Sequence, residues 1–128
     1  MKIVSNIARC ILGVMFTLFG LNGFFNFLKM PPLPPLAVQF LTALAASHYL
    51  VPIFLLQIVC GLVFLSNHYI PLALAMIAPV IVNILLFHAL TSPTGIGPGL
   101  LATACWLIVF YRYRRAFAGV FRDETPKA

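Results

Sequence analysis

Positions 30–111 of this chain carry no aspartate, glutamate, lysine or arginine. A water-soluble domain has charge on about a quarter of its residues, and a segment this long without any cannot keep its own surface wet. Lipid tails are a good solvent for Leu, Ile, Val and Phe, so the same segment is at home in a bilayer. The rest of the composition agrees: of 128 residues, 62% are hydrophobic and 8% charged, with a mean hydropathy of +1.07. Backbone N–H and C=O groups cannot stay unpaired in hydrocarbon, so the spans must be helices and the fold class all-α.

Four apolar runs stand out. The first, Ile7 to Leu28, would reach about 33 Å as a helix and stops at Lys29 and the prolines 31, 32, 34 and 35, where a helix cannot continue. The second, Tyr49 to Leu65, closes at Ser66-Asn67-His68. The third, Ile70 to Leu90, has Pro71 in its first turn, where a missing N–H does no harm. The fourth, Gly99 to Tyr113, runs into Arg112, Arg114 and Arg115. Between the first two lies Leu36 to Ser47, which reads as a helix of about 18 Å, too short for a hydrocarbon core of about 30 Å. The expected architecture is therefore a polytopic four-helix membrane bundle, residues 1–117, with a short interfacial helix between its first and second spans. Residues 118–128 form a polar tail.

The basic residues set the orientation. Lys2 and Arg9 flank the start, Arg112, Arg114, Arg115, Arg122 and Lys127 follow the end, and the connections hold Lys29 alone. The positive-inside rule then places both termini in the cytoplasm. The first run is too long for a signal peptide's apolar core and is followed by no small-residue cleavage pattern, so it reads as a retained helix. The basic run from Arg112 suits anionic lipid head groups. The inside bias accounts for it, and nucleic acid is not implied.

The polar residues within the spans carry the functional signal. Asn22, Gln57, Asn83 and Thr103 come one from each run and fall about 6 to 12 Å below the outer surface. His88 sits about one turn shallower, and His48, ending the short helix, would hang over the opening. Uncharged amides at a shared depth turn inward. They act either as interhelical glue or as the polar groups of a small-molecule pocket. Pro79, near the middle of the third run, is expected to kink it. Chemistry is narrowed by what is missing: no carboxylate in any span, no C-x-x-C among Cys10, Cys60 and Cys105, and histidines 48, 68 and 88 divided between the two sides. No metal site or catalytic residue is expected.

The segment Pro71-Leu72-Ala73-Leu74, followed by Ala78-Pro79-Val80-Ile81-Val82-Asn83-Ile84-Leu85-Leu86-Phe87-His88, resembles the DoxX-like family of small bacterial membrane proteins. Three further stretches look like family features in the family's order: Phe19 to Phe25, the Met30 to Pro35 cluster, and Tyr111 to Phe117. The resemblance implies a four-helix bundle in the bacterial inner membrane. It also implies association with a membrane oxidoreductase complex and with quinone-dependent redox chemistry. Related chains often carry a glutamate where Gln57 stands and another near Trp106, and this sequence has neither. The expectation is thus a non-catalytic accessory or quinone- or lipid-binding component, with His88 or Asn83 donating to a quinone carbonyl. The alternative is a small transporter or permeability factor, whose thin four-helix wall would call for an oligomer.

Overall fold

The computed structural model describes residues 2–122; Lys127 and the rest of the tail from residue 123 lie outside them. The described chain is all-helical, in five helices: α1 Lys2–Phe25, α2 Pro35–Ala46, α3 Leu50–Ser66, α4 Ile70–Thr91 and α5 Gly97–Tyr113. Two of these, α1 and α4, are long and apolar enough to cross a membrane, which marks a membrane protein. The α2–α3 pair is bent by 90° at its break and passes the same test only when taken together. At 17 residues, α5 falls short of that length.

The first helix is displaced from the expected Ile7–Leu28 run at both ends. It starts earlier because Arg9 does not interrupt it: the guanidinium reaches across to the last carbonyls of α3, Phe64 and Leu65, and is satisfied there. It stops at Phe25 because Asn26 adopts a left-handed φ of 50°, a common way to end a helix. The Asn26 N–H still bonds to the Asn22 carbonyl at 2.8 Å, while the Leu28 N–H turns to the Asn22 Oδ1 at 2.7 Å.

A different device separates α2 from α3. Pro35 opens α2 at a position that needs no N–H. At its far end the Tyr49 N–H bonds to the Leu44 carbonyl (3.0 Å) and the His48 N–H to the Ala45 carbonyl (3.1 Å), around His48 at φ 61°. That is a Schellman ending, with histidine where glycine is usual, and it turns the chain through the right angle.

Helices α1 and α3 pack closely along much of their length. Contacts run in opposite order, Gly13 against Gly61 and Leu65, Gly20 against Phe54 and Ile58, so the pair is antiparallel. A Cβ added at Gly61 would lie 2.6 Å from the Thr17 backbone nitrogen and 2.9 Å from the Gly13 carbonyl oxygen. Only glycine permits this approach. Helix α1 also packs on α5, and α4 packs on both α3 and α5, while α2 touches α4 only lightly. The core between them is built on Leu12, Phe16, Phe64, Leu74, Ile77 and Val109. Ala73 and Ala102 are buried in it, whereas Ala75 and Ala104 face outward.

Trp106 ties α5 to α4 through an Nε1–H bond to the Leu74 carbonyl at 3.0 Å and stacks on Phe110. Arg112 reaches from the end of α5 to the Asn6 Oδ1 at 2.8 Å. The start of α1 and the ends of α3 and α5 therefore share one end of the molecule. Helix α2, the start of α3 and the end of α4 share the other. Helix α4 continues through Pro79 without interruption.

Candidate functional site

A cavity of about 750 Å³ opens at that second end, between α2, the first half of α3 and the last half of α4. Its walls are mainly Leu, Ile and Phe, and its polar side chains include Gln57, Asn83, His88 and Thr91, with Tyr49 also on the lining. It exists because the right-angled turn at His48 carries α2 away from the α3 axis and across toward α4, where Phe40 meets Phe87 with ring centroids 5.9 Å apart. Pro79 lines the same space.

Gln57 is 7% exposed and lines the cavity, and its amide atoms are not among the fully buried polar atoms without a partner, which are Ser5 Oγ, Arg9 Nε and Thr17 Oγ1 among the described residues. Asn83 is tied to its own helix: Nδ2–H donates to the Pro79 carbonyl at 2.8 Å. His88 is held under the 3-10 turn Pro93–Gly95. Its Nδ1 lies 3.3 Å from the Ser92 carbonyl oxygen, and its ring stands edge-on to Phe87. A Cβ on Gly95 would come within 3.1 Å of the imidazole, so glycine there leaves room for the ring. The Thr91 hydroxyl donates to the Phe87 carbonyl at 2.6 Å.

Of the five candidate residues, Gln57, Asn83 and His88 share this cavity, and Asn22 and Thr103 do not line it. Asn22 caps the end of α1, as described above. Thr103 donates back to the Gly99 carbonyl of its own helix at 2.8 Å. Equal depth did not bring them together, because a short polar side chain can satisfy itself on nearby backbone of its own segment instead of reaching a neighbour. His48 is exposed at the bend, and Tyr49 rather than His48 lines the cavity. Thr91, placed by sequence in the turn after the third run, is a cavity residue the depth argument passed over. Its signal was its position: Asn83, Phe87 and Thr91 are spaced four apart, on one helix face.

Among the described residues no cluster of His, Cys, Asp or Glu is placed to hold a metal ion. Cys60 and Cys105 are buried and unbonded members of the core, and Cys10 is exposed. Compared with protein-family models, curated proteins and solved structures, the chain finds no match in any of the three.

Proposed function

We propose that this is a multi-pass protein of a bacterial cytoplasmic membrane, with α1, α3, α4 and α5 crossing as a four-helix bundle and both termini cytoplasmic. At 17 residues each, α3 and α5 reach about 26 Å, close to the hydrocarbon thickness. Their outward faces are apolar, with Leu55, Val59, Leu62, Leu100, Leu101 and Leu107 exposed. Helix α2 lies across the outer end, and the basic residues at the opposite end face the anionic lipid of the inner leaflet.

Within this frame the protein binds a neutral, largely apolar small molecule in the cavity between α2, α3 and α4. Gln57 carries this reading. As interhelical glue it would have a partner across the interface. Instead it lines the cavity, with no side-chain hydrogen bond to another helix among the described residues. Its amide atoms are not among the fully buried polar atoms left without a partner, so they stay open to the cavity, where a ligand's polar group can reach them. The cavity's volume and its few polar groups in an apolar wall fit the usual dimensions of a ligand site. The resemblance to the DoxX-like family suggests that the molecule is a quinone or lipid and that the protein is a non-catalytic accessory of a membrane redox system.

The test is mass spectrometry of protein purified gently with its native lipid, beside Gln57→Leu. Because Gln57 supports no hydrogen bond within the described chain, the variant should fold. A small molecule held near one per protein, and lost from the folded variant, is the expected outcome. Equal retention by both, or none by either, would overturn the reading.

A further inference from the structure

The hydrogen bonds that fix the α4 side chains also decide which polar atoms remain for a ligand. A carbonyl oxygen only accepts, so the His88 contact with Ser92 places the imidazole proton on Nδ1. In the neutral ring, Nε2 is then a bare acceptor, and it is the one ring nitrogen left for the cavity. The hydroxyl hydrogen of Thr91 is committed to Phe87, so Oγ1 likewise presents only lone pairs. One N–H of Asn83 is committed to Pro79, which leaves Oδ1 and a single N–H. His88 and Thr91 lie three residues apart, one helical turn, and both line the cavity.

We infer that the cavity selects an apolar molecule carrying hydroxyl groups over one of similar shape whose oxygens can only accept. This rests on the reading of the cavity as a binding site and names the ligand chemistry that site takes. A hydroxyl donates to His88 Nε2 or Thr91 Oγ1, and the amides of Gln57 and Asn83 serve its lone pairs. An acceptor-only carbonyl compound gains nothing from His88 or Thr91 and leaves both facing an oxygen of the same polarity. Of the two donors expected for a quinone carbonyl, His88 or Asn83, the Nδ1 contact of His88 with Ser92 leaves the free N–H of Asn83 for that role.

Two probes of one skeleton test this. Hexylresorcinol brings two hydroxyl donors on an apolar body, and its dimethyl ether keeps the body and the oxygens without the donors. Each is equilibrated by dialysis against nanodiscs with and without the full-length protein, so that partition into lipid is subtracted. The expected result is at least about fivefold tighter retention of hexylresorcinol, the scale of one net hydrogen bond, with the preference shrinking in Thr91→Val. Equal retention of the two probes would overturn the donor preference and leave the cavity as a site. No retention of either above empty nanodiscs would overturn the site and the preference together.

Discussion

Arg9 and Phe64 are 55 residues apart in sequence, and the guanidinium of the first donates to the carbonyl oxygen of the second. The last carbonyls of a helix have no partner within it, and a cation at that end also meets the negative pole of the helix dipole. Arg9→Met should therefore destabilise the protein by about 2 kcal/mol, the range for a hydrogen bond to a charged group. Arg9→Lys should recover part of the loss. Thermal unfolding in a mild detergent reads both.

Gly61→Ala places a methyl group against backbone atoms of Thr17 and Gly13 that cannot swing aside. Overpacking of this kind costs about 1 to 3 kcal/mol. The same substitution at Gly97, whose added Cβ would meet nothing within 4 Å, should not produce this loss. Unfolding midpoints of the two variants, taken side by side, check the α1–α3 seam.

His48→Gly should raise stability by about 1 kcal/mol, since a left-handed φ is costly for a residue with a Cβ and free for glycine. A drop instead would mean that the imidazole contributes something other than the turn.

Asn22→Ala should cost about 1 kcal/mol through loss of the Leu28 cap. Retention of any bound molecule, measured per folded protein, should stay as in the wild type. Gln57→Leu should do the reverse, sparing the melting temperature and losing the ligand.

A fluorescent protein fused after Ala128 should fold and fluoresce in the bacterial cytoplasm. Alkaline phosphatase fused after Pro32 should be active, because that segment faces outward in the proposed topology. The opposite pattern would reverse the orientation.

How much of this could be read from the residues depends on the scale of the force involved. Hydrophobic burial and helix-breaking prolines act along whole segments, and the runs at Tyr49–Leu65 and Ile70–Leu90 differ from α3 and α4 by at most one residue at each end. Where one side chain chooses between its own helix and a neighbour, pattern is silent. Asn22, Asn83, Thr91 and Thr103 each bond within a few residues of themselves, and of these only Asn83 and Thr91 also line the cavity. Arg9 looked like a flank because charge is expected outside a span, yet a long side chain can place its head at another helix's end while its stem stays in the apolar layer.

The close seam between α1 and α3 divides one short helix into two regimes of mutational tolerance. On the buried side, Gly61 meets a shape that a single methyl group violates. On the far side Leu55, Val59 and Leu62 are each 51% exposed, and in the proposed topology the bilayer there asks for oil solubility and is indifferent to form. A scan of every substitution along α3 should thus show one strip where size alone decides. Its neighbouring strip should accept Ile, Leu, Val, Met or Phe interchangeably and reject only charge, so that sequence drift runs freely down one face of the helix and halts on the other.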